Sequence, residues 1–253
     1  MGFFSTAIWW CGVLLLACIL LRAWIGRLFG KYPYFYAYVI CVLCTSLLRA
    51  YIWAVFPHAY RLVFWVSEFV SAVAGLGVTW EIYARILAPY RGVSKMGRTL
   101  LSILLAATIA KTTANLWVDP LRKLAPTTSE LEGTLRTVQA LFLLAILGLV
   151  VQYALPIGRN MRAMLVGYGF YVGCSAVTLS LHSRWGDTIG NLLNSIPPLV
   201  YTITLVMWVM GMWSYSKNPA PDNSLECDYD RVSEYTTRAL GQLRNHLIHS
   251  WRP

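Results

Sequence analysis

Five ionisable residues lie inside long apolar runs of this sequence, where charge is costly and usually has a function. They are Arg49, Glu68, Glu81, Lys111 and Arg136. Arg49 lies seven residues before Phe56, Glu68 seven residues after Arg61, and Lys111 seven residues before Val118. Counted from these outer positions, each charge is about 10 Å below one membrane surface. Arg136 begins the following run from the same side. Four charges from four consecutive runs therefore share one layer.

One hypothesis for this layer is a cavity that opens to the outside and carries positive charge. Arginine suits bidentate binding of carboxylate or phosphate, and lysine acts as a point charge. Neutral polar groups on the same helices, and a histidine near the outer boundary, complete the predicted ligand-binding set. Its members are Arg49, Glu68, Lys111, Asn115, Arg136, Gln139 and His182.

The alternative is structural. Arg49 and Glu68 lie on adjacent antiparallel helices and would pair with each other. Lys111 and Arg136 would then extend to the lipid headgroups or reach Glu130 and Glu132. The sequence leaves both interpretations open.

Glu81 lies near the opposite end of its helix, four residues before Arg85. Residues with this spacing are neighbours on a helix surface, so we expect a local salt bridge. A proton relay is the alternative hypothesis for this inner polar pair.

Composition places the chain in lipid. Of its 253 residues 57% are hydrophobic and only 13% are charged, and the mean hydropathy is +0.55. Soluble proteins carry roughly 25% charged residues. The low share of charged residues and the high share of hydrophobic ones exclude a disordered chain and an ordinary cytosolic enzyme. The net charge of +10 comes from basic residues in short loops, which is typical of membrane topology signals, so we expect no nucleic-acid partner.

The apolar runs predict an all-α fold, a seven-helix transmembrane bundle over residues 1–217. Each run is close to the ~20 residues that cross a bilayer. A cytoplasmic tail, 218–253, would follow, with an amphipathic helix over about 227–251. The predicted membrane helices are 6–21, 34–55, 62–87, 100–118, 135–155, 164–181 and 197–215.

The distribution of lysine and arginine predicts the orientation. Fourteen of these residues fall in the first, third and fifth connections and the tail, and four fall on the opposite side. Basic loops stay in the cytoplasm. We therefore expect an external N-terminus, a cytoplasmic tail and a multi-pass protein of the inner (plasma) membrane.

Small residues at four-residue spacing predict close helix packing. They are Ser67, Ser71 and Gly75 on the third helix, and Gly169 and Gly173 on the sixth. The pair Pro197-Pro198 fits the start of a helix. The segment His182–Ile196 is therefore expected to be an outer connection, with a lid as the alternative.

Several segments resemble a family of bacterial seven-helix membrane proteins to which no activity is assigned. They are Tyr32-Pro33-Tyr34-Phe35-Tyr36, Trp65-Val66-Ser67-Glu68, Trp80-Glu81-Ile82-Tyr83, Pro156-Ile157-Gly158-Arg159-Asn160 and Trp213-Ser214-Tyr215. The resemblance covers most of the chain. It implies the seven-helix fold and contributes no catalytic residue.

The leading functional hypothesis is a non-enzymatic sensor or binding protein in the lipid bilayer. An anionic small molecule or lipid headgroup would occupy the outer pocket, and the tail helix would signal through a protein partner or a homodimer. The sequence contains no motif of nucleotide-binding proteins, zinc peptidases or serine hydrolases, and we expect no metal and no cofactor. The alternatives are a transporter or channel subunit, an accessory subunit of a membrane complex, and an intramembrane lipid-modifying enzyme.

Overall fold

The computed structural model describes residues 3–87 and 124–216, together with single positions between 90 and 106 and between 227 and 238. Side chains within the two long ranges are described for 6–64, 66–87, 133–181 and 196–216. A short 3-10 turn at Pro57–Ala59 joins the second and third helices. The helices are α1 (Phe3–Ile25), α2 (Pro33–Val55), α3 (Tyr60–Ile86), α4 (Leu124–Gln152) and α5 (Arg159–Met212).

The all-α class is confirmed for the residues that the structure describes. The first, second, third and fifth predicted membrane helices correspond to α1, α2, α3 and α4, and the sixth and seventh both fall within α5. The fourth predicted helix, 100–118, and the tail helix, 227–251, lie outside the described residues except at single helical positions.

Among the described residues, five stretches of helix are long and apolar enough to cross a membrane, which indicates a membrane protein. A shorter apolar stretch, Ile196–Met212, follows them. Large apolar side chains cover the outside of the bundle, such as Leu14, Trp24, Leu62 and Met210, each more than 60% exposed. Such a surface suits lipid rather than water. The five stretches are Thr6–Ile25, Pro33–Val55, Pro57–Ile86, Gly133–Gln152 and Arg159–Leu181.

The helices form a closed ring in which α1 packs against α2, α2 against α3, α3 against α4, α4 against α5, and α5 against α1. The interior is apolar and aromatic. Trp208 on α5 is central to it, and its ring lies edge-on to Phe35 at 5.0 Å and stacks with Tyr168 at 6.4 Å between centroids. Other fully buried members are Leu16, Val39, Ile82, Leu143, Ile146, Met164 and Leu205.

Helix α5 folds back on itself. Its 54 residues would extend about 80 Å if straight, yet Asn160 Nδ2 donates to the carbonyl oxygen of Gly211 at 3.1 Å. Tyr171 and Tyr201 also meet, with ring centroids 5.8 Å apart. The two arms, 159–181 and 196–212, therefore run antiparallel, and the chain reverses between them.

The prediction of an irregular connection at His182–Ile196 is wrong, because the backbone of these residues is helical. Pro197 and Pro198 lie inside α5 rather than at the start of a separate helix. Helical backbone satisfies its own hydrogen bonds, which is the strongest demand on a chain in or near lipid. The reversal is thus made within helical backbone.

Two turns at one end of the bundle share a helix-ending motif. After α1, Arg27 has a positive φ of 50° and Leu28 N donates to Ala23 O at 2.9 Å. After α4, Ala154 has a φ of 46° and Leu155 N donates to Val150 O at 3.0 Å. Both are the six-to-one bond of a Schellman motif, which ends a helix and reverses the chain direction.

Candidate functional site

A triad of charged side chains joins three helices at one end of the bundle interior. Arg49 comes from α2, Glu68 from α3 and Arg136 from α4. Arg49 Nη2 lies 2.8 Å from Glu68 Oε2, and Arg136 Nη2 lies 2.7 Å from Glu68 Oε1. One carboxylate is therefore shared by two guanidinium groups, one on each oxygen. We call these residues the triad and this end of the bundle the triad end.

The short turn between α2 and α3 explains why two members meet. Arg49 lies nine residues before His58 and Glu68 lies ten residues after it, and His58 is in the 3-10 turn that joins the two helices. Antiparallel helices with so short a connection bring such positions to the same level. Arg136, far away in sequence, reaches that level because α4 packs against α3.

Neighbouring side chains fix the two guanidinium groups. Arg49 Nε donates to Ser67 Oγ at 2.6 Å, and its guanidinium carbon lies 4.8 Å from the centre of the Phe64 ring. The guanidinium carbon of Arg136 lies 5.3 Å from the ring centre of Tyr171 on α5. Stacking on an aromatic face and bidentate pairing both favour arginine over lysine.

The triad carries a net charge of about +1, because Glu68 neutralises one of two guanidinium groups. The side chain of Arg136 is 8% exposed, and those of Glu68 and Arg49 are 19% and 22% exposed. An uncompensated charge is expensive where water is scarce. A monoanionic group at this site would balance it.

Tyr201, on the second arm of α5, packs against an aromatic partner of the triad. Its ring centroid lies 5.8 Å from that of Tyr171, whose ring lies against the Arg136 guanidinium group. Its hydroxyl is buried and has no hydrogen-bond partner among the described residues, which is uncommon for a buried polar atom.

Other residues of the predicted binding set fall elsewhere. Gln139 is 2% exposed and its Nε2 donates to Ala72 O at 3.4 Å, one turn deeper than Arg136, so it bridges α4 and α3. Lys111 and Asn115 lie outside the described residues. The backbone of His182 is helical, but its side chain is not among those described.

The small residues on α3 lie in polar and close contacts. Ser67 accepts the bond from Arg49, and Ser71 Oγ donates to Ser67 O at 2.9 Å. A Cβ atom on Gly75 would come within 2.0 Å of the Tyr168 hydroxyl oxygen. Glycine at this position leaves room for the Tyr168 side chain, which extends from α5 to α3.

Close packing on α5 occurs at other glycines than the predicted pair. Among the described residues, a Cβ on Gly173 would meet no atom within 4 Å, and one on Gly169 would make only an ordinary contact with Leu143 at 3.8 Å. A Cβ on Gly211, by contrast, would lie 2.0 Å from the Cβ of Ala163 on the other arm. The close approach of the α5 arms thus depends on Gly211, which has no small-residue repeat around it.

The inner polar pair holds the start of α2. Glu81 is 3% exposed, and Arg85 Nη2 lies 3.1 Å from its Oε1. Its other oxygen, Oε2, accepts the backbone N–H of Phe35 at 2.8 Å, in the first turn of α2. The side chain of the residue before α2 makes no such bond, so Glu81 acts as a cap from a neighbouring helix.

A tyrosine and a loop carbonyl extend this cap cluster, which consists of Lys31, Tyr32, Phe35, Glu81 and Arg85. Arg85 donates to Lys31 O, and its guanidinium carbon lies 4.9 Å from the Tyr32 ring centre. Burial, followed by the influence of Tyr215, raises the pKa of Tyr32 to about 12. We call this end of the bundle the cap end.

Sequence reasoning missed Tyr171, an aromatic partner of the triad, and Tyr201, which packs against it. No local pattern marks them, because both lie on α5 and reach these positions only through the fold. It also missed Asn160, a buried residue whose Nδ2 binds Gly211 O and Ser214 O and whose Oδ1 accepts Ser216 N at 2.5 Å. The signal in the sequence that could have indicated its role is an asparagine next to the start of a predicted membrane helix.

In comparisons with known proteins, no family model, no curated protein and no solved structure matches this chain. The resemblance to bacterial seven-helix membrane proteins therefore rests on the quoted sequence segments alone. The function must be argued from the triad itself.

Proposed function

We propose that this chain is a non-enzymatic membrane sensor or binding protein whose triad end receives an anionic or lipid-like ligand. The observation that carries the proposal is the sharing of Glu68 by Arg49 and Arg136, which leaves one positive charge inside the membrane-spanning helices. A carboxylate or phosphate would neutralise that charge and accept bidentate hydrogen bonds from arginine.

The proposal includes the seven-helix topology with an external N-terminus. In that topology the triad end faces outward, so a ligand enters from outside or from the outer leaflet. Lys111 would add a second positive charge from the predicted fourth helix. A change at the triad would pass through the bundle to the cytoplasmic tail helix and then to a protein partner or a second copy.

The arrangement at the cap end favours a binding protein over a transporter. A transporter would need a second access path at the cap end, where the candidate polar residues of the sequence are Glu81, Gln152 and Tyr153. Glu81 is buried and engaged with Arg85 and the start of α2. These contacts are those of a residue that stabilises the fold.

Ligand-induced stabilisation tests the proposal. Ligands that bind only the folded state raise its stability. The unfolding temperature of the purified protein is therefore measured alone, with a lipid extract, and with an aqueous extract of the cells that produce it. At least one extract should stabilise the parent protein, and the effect should be lost in Arg49→Ala and in Lys111→Ala. Arg61→Ala removes the same charge from an exposed position near the triad end and should leave the effect intact. Equal stabilisation of all four proteins would overturn the proposal.

A further inference from the structure

Three cations converge on the segment that follows α5 at the cap end. Arg22 Nε donates to Trp213 O at 2.6 Å, and its guanidinium carbon lies 5.5 Å from the Trp213 ring centre. Arg159 Nη2 lies 3.3 Å from Ser214 O. Lys31 Nζ lies 5.1 Å from the ring centre of Tyr215. These cations come from α1, from the first arm of α5 and from the loop before α2.

The backbone they bind explains part of this arrangement. The last carbonyl groups of a helix lack partners within the helix and carry partial negative charge. Arg22 and Arg159 satisfy carbonyl groups just beyond the end of α5. Arg22 uses only Nε for this bond, which leaves both of its terminal amino groups without a partner among the described residues.

Among the residues that the structure describes, none of these three cations is in a salt bridge. Within the described ranges 3–87 and 124–216, the carboxylate at this end is Glu81, and it is already bound to Arg85 and to α2. In this described part of the chain, Arg22, Lys31 and Arg159 form a patch of about +3 beside the fractional negative charge of the helix end.

A groove next to Arg22 is lined by apolar side chains. It lies between α1 and the second arm of α5. Trp213, 53% exposed, stands beside Arg22 at its mouth, and tryptophan prefers the boundary between hydrocarbon and water. The lining residues are Cys18, Ile19, Arg22, Val209, Met212 and Trp213.

We propose that this groove binds one anionic phospholipid. The terminal amino groups of Arg22 donate to the phosphodiester, and Lys31 and Arg159 add attraction for the headgroup. An acyl chain lies along Cys18, Ile19 and Val209. The apolar groove selects a lipid rather than a free phosphate, and the three cations select an anionic headgroup over a zwitterionic one. The site is at the opposite end from the triad and does not depend on the function proposed there.

Native mass spectrometry of the full chain in an uncharged detergent tests this site, with phosphatidylglycerol as the probe. Arg22→Gln and Lys31→Gln should each weaken phosphatidylglycerol binding roughly fivefold, the factor expected for one cation at an anionic membrane surface. Arg27→Gln is the matched control. Arg27 is exposed at the same end of the bundle, and no hydrogen bond or ring contact joins it to the described residues 213–215, so binding should change less than about twofold. Cys18→Phe keeps every charge, fills the groove, and should also weaken lipid binding.

Three outcomes would overturn the proposal. Equal weakening by Arg27→Gln and Lys31→Gln would mean diffuse attraction without a site. Equal binding of phosphatidylcholine would remove the charge argument. Competition by inorganic phosphate at the same concentration as the lipid would mean a phosphate site without a lipid groove.

Discussion

Removing the shared carboxylate should destabilise the protein more than removing either arginine. Glu68→Gln changes the charge of the triad from about +1 to +2 and removes the carboxylate that the Arg49 and Arg136 guanidinium groups share. Arg136→Met leaves the neutral Arg49–Glu68 pair in place. The order of stability, parent, then Arg136→Met, then Glu68→Gln, follows from charge counting alone.

The magnitude depends on burial. Removing one partner of a buried ion pair costs about 3–5 kcal/mol, whereas exposed pairs contribute roughly 0–1 kcal/mol. Arg136 is 8% exposed, but Glu68 is 19% exposed, so the cost lies below the fully buried case. We expect a loss of about 2–4 kcal/mol for Glu68→Gln and roughly 1–2 kcal/mol for Arg136→Met.

Unfolding of the purified variants in one mild detergent measures these differences. Glu234→Gln is the control, because Glu234 pairs with Arg238 at a site where both side chains are more than 60% exposed, and it should cost less than about 0.5 kcal/mol. A triple variant, Arg49→Met with Glu68→Leu and Arg136→Met, should recover most of the lost stability, since apolar groups replace a buried ion network without penalty. A Glu68→Gln loss no larger than that of Glu234→Gln would refute the reasoning.

Three further predictions concern packing, capping and pH. Gly211→Ala should destabilise the protein by roughly 1–3 kcal/mol, because the new Cβ would lie 2.0 Å from that of Ala163. Gly173→Ala should be neutral or stabilising, since no described atom lies within 4 Å of its Cβ position. Equal thermal unfolding midpoints for the two variants would contradict this. Glu81→Gln should lower stability by about 1–2 kcal/mol through loss of the charged cap on α2, and an unchanged unfolding midpoint would contradict it. Burial raises the pKa of Tyr32 to about 12, from an ordinary value of 10.0. The contribution of its neutral phenol to stability is therefore complete below pH 10 and is lost as pH rises through 12. An isotope-labelled Tyr32 that titrates at its ordinary pKa would refute this.

Much of the fold follows from hydropathy, because a chain in lipid must bury its backbone polar groups in helices. The predicted helices 34–55 and 62–87 end within two residues of the bounds of α2 and α3, whereas 6–21 is three to four residues short of α1 at each end. The helical reversal between the arms of α5 does not follow from hydropathy, because Pro197-Pro198 also fits the start of a new helix. A proline lacks the backbone N–H that a helix uses as a hydrogen-bond donor. This does not determine whether the residues before it are helical.

The candidate site was predictable to the extent that it is local. Arg49 and Glu68 lie nine and ten residues from His58 in one short turn, so their proximity follows from the sequence. The pairing of Arg136 with the same carboxylate, and the position of Tyr171 against Arg136, depend on which helices pack together. Charge depth alone could not distinguish an open cavity from a triad of mutually bound side chains.

Native mass spectrometry of the protein extracted gently from its own membrane tests whether the triad binds an anion. If it does, the protein should carry a reproducible added mass that is lost in Arg49→Ala and Lys111→Ala but retained in Arg61→Ala and Lys31→Gln. That pattern assigns the bound species to the triad end rather than to the groove at the cap end. No added mass, or an added mass that survives Arg49→Ala and Lys111→Ala, would leave the triad as a structural link between α2, α3 and α4 and no more.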